Sequence, residues 1–249
     1  MNGDQSVDGR VDNEADGGVA KAAQGAREAA HQLTSTLQEV KPKLRGWLHA
    51  VTSPLTVAAG IVLIVLSPTD ATRVGSTVFT VTAVLLFTVS AIYHRGTWSP
   101  RVWAILQRFD HANIFLLIAG SYTPFTLLML EGSSRVTLLA IAWGGALLGV
   151  AIRILYDDAP RWFYTPIYIA LGWAAVFYAD EFVDHSQQAV LVLVVVGGIL
   201  YTRGGIVYGL QRPNPFPSWF GFHEVFHTLT IAAFITHYVG VSLATYSMR

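Results

Sequence analysis

The chain contains no cysteine. Disulfides and thiolate metal sites are therefore excluded, and any metal must be held by imidazole, carboxylate or water. Charge is scarce too: 13% of residues are Asp, Glu, Lys or Arg, against 53% hydrophobic. That is too apolar for an ordinary soluble domain and typical of a polytopic membrane protein. The formal net charge is zero, so nothing points to nucleic acid. The N-terminus has no basic stretch leading into an apolar one, which reads as the absence of a cleaved signal peptide.

Residues 1–40 differ from the rest. They are rich in Gly, Asp, Ala and Gln and contain no aromatic residue. Residues 1–18 have almost nothing to bury and read as disordered. Residues 19–40 hold good helix formers and read as a solvated or surface-lying helix, the whole forming a cytoplasmic tail. Residues 41–249 form the membrane domain. Seven apolar segments of span length lie at 46–67, 73–95, 104–130, 135–155, 162–180, 188–210 and 221–244. The third begins with RVWAILQRF, whose alternating basic and apolar residues suit the membrane interface. Turn-forming clusters such as SPTD, GTWSP, EGSS, DDAP and RPNPFP join the segments. Glycines such as Gly144, Gly145, Gly197, Gly198, Gly204 and Gly205 read as close helix packing. The fold class is thus all-α, with seven transmembrane helices.

Lysine and arginine orient the bundle. One side collects Lys41, Lys43, Arg45, Arg95, Arg101, Arg108, Arg153, Arg161 and Arg212. The other has Arg73, Arg135 and Arg249, with an acidic loop at 180–187 (Asp180, Glu181, Asp184). This predicts a cytoplasmic N-terminus and an external C-terminus.

Histidine and aspartate are costly in a bilayer unless paired or bound. His94, Asp110, His223 and His227 all fall near span ends on the predicted cytoplasmic side. His223 and His227, four apart in GFHEVFHTL, put two imidazoles on one helical face, about one turn apart, so the pair can chelate one ion. Ser90 repeats the spacing before His94 in SAIYH. Three histidines leave one tetrahedral position open on zinc, as in catalytic zinc sites. Asp110 either fills that position or holds a metal-bound water as base or supporting group. Glu224, between the two histidines, points to another face and is left out of the site.

The run SAIYHRGTWSPRVWAILQRFDHANIFLLIAGSYTPF at 90–125 resembles the hemolysin III family. That family groups with the progestin and adipoQ receptors and, more distantly, with alkaline ceramidases, in a superfamily of seven-helix metal-dependent hydrolases. Its pattern of Ser-x3-His, then Asp, then His-x3-His matches Ser90 and His94, Asp110, and His223 and His227. The resemblance covers about 45–245. It implies zinc held by the three histidines on the cytoplasmic side, with the aspartate acting through a water. It also implies lipid amide hydrolysis or membrane-lipid homeostasis, while the bacterial name implies cytolysis. Family members often have Asn and Thr before the first-span histidine and Gly after it. Here His49 sits in GWLHAVTSP and is given no site role.

Other polar residues read more plainly. His111 points about 100° from Asp110 and suits an interfacial or inter-helix hydrogen bond. His237 lies about 20 Å from His223 along the helix, too far to share a metal, and reads as a packed core residue. His31 and His185 fall in the tail and a loop. Arg203 reads as a snorkelling residue, with a lipid phosphate or substrate carboxylate as its sharper alternative. Tyr122, Thr123 and Pro124 sit mid-span and suggest a kink whose backbone finds other partners.

Three functions fit this pattern. In a zinc-dependent hydrolase of a lipid amide or ester, Asp110 takes a proton and Ser90 orients water or oxyanion. In a membrane sensor or homeostasis factor, zinc is structural. A pore-forming cytolysin is the third, disfavoured by fixed multi-pass spans without an export signal. The implied partner of the first is a membrane lipid or lipid-like substrate, and the implied location is the cell membrane.

Overall fold

The structure, a computed structural model, describes residues 24–25, 42–156, 161–183 and 188–248. Residues Met1–Pro42 and Lys43–Arg249 form separate units. The expectations for the tail fall outside the described residues, apart from the helical pair 24–25, as do His31 and His185. The second unit is a helical bundle, and no strand occurs among its described residues. Its helices are α1 (Trp47–Val65), α2 (Asp70–Arg95), α3 (Pro100–Met129), α4 (Gly132–Leu155), α5 (Arg161–Gly172), α6 (Ala179–Val183), α7 (Gln188–Leu210) and α8 (Phe222–Tyr246). A 3-10 turn, Ala174–Tyr178, joins α5 to α6.

Six of these helices, α1 to α4, α7 and α8, are long and apolar enough to cross a membrane. With the α5–α6 element they make a polytopic membrane protein. The segment expected as one span at 162–180 is instead broken. Its α-helix ends at Gly172, and the chain continues as the 3-10 turn. A break inside a membrane frees backbone groups that must find partners. Tyr122 of α3 supplies them: its hydroxyl donates toward the carbonyls of Gly172 at 2.7 Å and Leu171 at 3.1 Å, and accepts from the Ala175 N–H at 3.1 Å. The tyrosine marked as unusual in mid-span thus serves a break in the neighbouring element. α3 itself runs through Pro124.

Local signals set the helix starts. Thr69 and Thr72 exchange side-chain to backbone hydrogen bonds ahead of α2, a capping box at the SPTD turn. Pro100 opens α3 at a position where its missing N–H costs nothing. The 30 residues of α3 span about 45 Å, longer than a hydrocarbon core of about 30 Å. The excess is its first turns, where Arg101, Val102, Trp103, Ile105 and Phe109 are exposed.

Buried stripes at alternating three- and four-residue spacing face the centre. In α2 they are Thr72, Ser76, Phe79, Ala83, Leu86, Ser90 and His94. In α8 they are His223, His227, Thr230, Phe234, His237, Val241 and Ala244. α3 is the most enclosed helix and packs against α2, α4, α5 and α8. Close packing through glycine is real at Gly197, where an added Cβ would lie 2.3 Å from the His237 ring, and at Gly145, 2.8 Å from Leu171. Gly144 has nothing within 4 Å.

Candidate metal centre

The stripes of α2 and α8 carry His94, His223 and His227 to the same end of the bundle. All three are buried, and one nitrogen from each lies within 4.8 Å of the others. His94 Nε2 and His223 Nε2 are 3.0 Å apart. The three residues are therefore close enough to hold a metal ion. Asp110 enters from α3, with Oδ2 3.6 Å from His94 Nε2. It lies ten residues into its helix, deeper than the expected span start at 104 implied, because α3 already begins at Pro100. Ser90, one turn before His94, lines the same cavity as Asp110. The five residues picked out by spacing thus form one buried group.

Two neighbours were not picked out. His49, on α1, is 2% exposed, and its ring stacks on that of His227 at 3.7 Å. Phe87 meets its other side edge-on at 5.0 Å. Neither His49 nitrogen has a protein partner. The only sequence signal was a histidine inside an apolar span, since its local motif departs from the family pattern.

The second neighbour is a polar network on Asp110's far side. His111 Nδ1 faces Arg153 Nη2 of α4 at 2.5 Å, and its Nε2 faces the Tyr208 hydroxyl of α7 at 3.1 Å. Tyr168 of α5 donates to the His111 carbonyl at 3.2 Å. His111 therefore ties four helices together, the inter-helix role expected of it. Arg153, counted in the sequence only as a basic loop marker, is 6% exposed. Arg203 is exposed on α7 and is not among the residues lining the cavity beside the cluster.

Glu224 has a separate task. It is fully buried, forms an ion pair with Arg45, and accepts the Gly221 N–H at 2.8 Å. The backbone N–H groups of Lys43 and Leu44 donate to the carbonyls of Ser218 and Trp219. Gly46, at φ 80°, turns the chain into α1 so close to His94 that a Cβ there would lie 2.8 Å from the His94 Cβ. The lead-in to α1 is thereby fastened to the start of α8, beside the histidine cluster.

A cavity opens from the cluster into the bundle. Ser90, Asp110, His223 and His227 line one end, apolar side chains such as Leu117, Ile118 and Val194 its middle, and Tyr201 and His237 lie further along. Its volume of about 130 Å³ holds on the order of ten water molecules, far more than an ion needs.

A polytopic helical membrane protein with a buried three-histidine cluster at one end is the class these features define. A family model described as haemolysin-III related matches residues 37–238, and the chain belongs to that family. It is 31% identical over 204 residues to hemolysin-3 of Bacillus cereus, covering 80% of this chain and 90% of that protein. It is also 31% identical over 186 residues to a hemolysin-3 homolog of Bacillus subtilis (strain 168), covering 74% and 84%. A more distant similarity, 24% over 181 residues, is to the adiponectin receptor protein of Drosophila melanogaster, covering 66% of this chain and 41% of the receptor.

Proposed function

We propose that this protein is a zinc-dependent hydrolase of a lipid amide or ester. The observation that carries the reading is the cavity joining Asp110, Ser90 and two of the histidines to a long apolar lining. A purely structural ion needs no such space beside it. The donor set suits zinc. Two nitrogens at 2.0–2.1 Å from a tetrahedral ion lie about 3.3 Å apart, and His94 and His223 present theirs at 3.0 Å. When bound, zinc supplies Lewis acidity, acidifying water and polarising a carbonyl. The residues of the chain do the rest. Asp110 accepts a proton at its carboxylate and returns it to the leaving group. Ser90, lining the cavity beside Asp110, orients the water or the oxyanion, and the apolar lining takes the acyl chain and excludes bulk water.

The test is fatty-acid release from ceramide-like and phospholipid substrates in liposomes. Asn cannot accept the proton, so Asp110→Asn should keep the zinc and the fold while losing turnover by on the order of a hundredfold or more. Release at the wild-type rate by Asp110→Asn would refute the catalytic role. No release by wild type from any substrate would favour a sensor with structural zinc.

The same reading puts the centre at the cytoplasmic face. Arg45, Arg95 and Arg212 border the cluster end of the bundle, while Arg73 and Arg135 border the other. A reporter fused after Arg249 should therefore read as external and one fused before Met1 as cytoplasmic. The reverse pattern would overturn this orientation.

A further inference from the structure

The far end of the cavity turns polar again. His237 lies fourteen residues beyond His223 on α8, about 21 Å at the helical rise, and is 8% exposed. Its Nε2 faces the Val194 carbonyl at 3.3 Å. A carbonyl only accepts, so Nε2 carries the hydrogen, and a neutral ring then offers an acceptor lone pair at Nδ1. That Nδ1 is buried without a partner.

α7 builds the rest. Gly197 leaves room for the His237 ring, and Tyr201, one turn on, sets its ring 5.5 Å from it. The Tyr201 hydroxyl is also buried and unbonded. Ser121 of α3 adds a second unbonded hydroxyl and the third such polar group, one turn from Phe125, whose ring is 5.8 Å from His237. Ser121, Tyr201 and His237 all line the cavity. Three unsatisfied polar groups at membrane depth are costly unless something in the cavity serves them.

We propose that this end of the cavity is a binding subsite for a hydroxyl carried on the far half of a lipid chain. An acceptor at His237 Nδ1 and the hydroxyl of Tyr201, whose ring is 5.5 Å away and which lines the same cavity, match a group that both donates and accepts. A ketone only accepts and would leave Nδ1 unserved. A carboxylate would bring a charge to this end of the cavity, whose described lining has no Lys or Arg. The middle stretch of apolar lining separates the subsite from the histidine cluster, so the ligand is a long chain with polar groups at both ends. The inference rests on reading the cavity as a lipid site, and not on turnover.

Binding to the purified full-length protein tests it, by displacement of a fluorescent fatty acid. The probes are stearate and stearates hydroxylated at mid-chain or near the methyl end. A hydroxyl in the far half should tighten binding about tenfold over plain stearate, the yield of one net buried hydrogen bond. Tyr201→Phe, which removes one oxygen and little volume, should erase most of that preference, read as the ratio of the hydroxylated to the plain stearate affinity. Equal affinity for plain and hydroxylated chains would overturn the subsite, and would mean that water serves these groups. A preference that survives undiminished in Tyr201→Phe would overturn it as well. If no fatty acid binds, the lipid reading of the cavity fails and the subsite falls with it, a result distinct from equal binding.

Discussion

The His223→Ala/His227→Ala variant should retain almost no metal, against about one zinc ion per chain in the unsubstituted protein. The two residues supply two of the three imidazoles, and the remaining donors, His94 and Asp110, are too few to close a tight site. Asp110→Asn leaves all three histidines and should stay loaded. Metal analysis after detergent purification reads this directly. Loss of the ion should also lower the melting temperature, because a ligand that binds only the folded state stabilises it. Full occupancy in the double variant would remove the centre from consideration. A half-loaded protein with each single alanine would point to His49, which already stacks on His227, as a substitute donor.

Glu224→Ala should be the most damaging single substitution outside the cluster. The carboxylate is fully buried and serves both Arg45, itself largely buried, and the Gly221 N–H. Removing one partner of a buried ion pair strands the other, at a cost of roughly 3–5 kcal/mol. For a chain of this size that corresponds to a drop of roughly 10 °C in melting temperature. Glu224→Gln keeps an acceptor for both partners and should lose less. Thermal unfolding in detergent separates the two. A melting temperature unchanged in Glu224→Ala would show that the pair contributes nothing net.

Much of this architecture was legible in the sequence because bilayer thickness fixes span length and burial fixes period. Six of the seven apolar segments became long helices. The fifth did not, and the reason lies elsewhere in the chain: its break is tolerated because Tyr122, some fifty residues earlier, satisfies the freed backbone. The histidine cluster was legible because spacing within a helix is local geometry, and charge bias then placed three helix ends at one depth. His49 and Arg153 were missed because nothing local distinguishes a buried polar residue from an interfacial one. Their environments are set by neighbours on other helices: His227 for one, His111 and Tyr164 for the other. Glu224 pairs with Arg45, 179 residues away, and no periodicity links them.

The fastening of Arg45 to Glu224 bears on the order of biogenesis. A nascent chain inserts α1 first and α8 last, yet the lead-in to the first helix is fastened by hydrogen bonds and an ion pair to the start of the final one. His94 likewise waits for His223, 129 residues downstream. Until α8 is threaded, Arg45 lacks Glu224, His49 lacks the His227 ring it stacks upon, and His94 lacks the other two histidines of the cluster. Insertion of the last helix therefore fastens the lead-in to α1 and completes the three-histidine cluster in one event. A polypeptide released before α8 would lack both together, so an ion bound at the three histidines would report that synthesis reached the final helix.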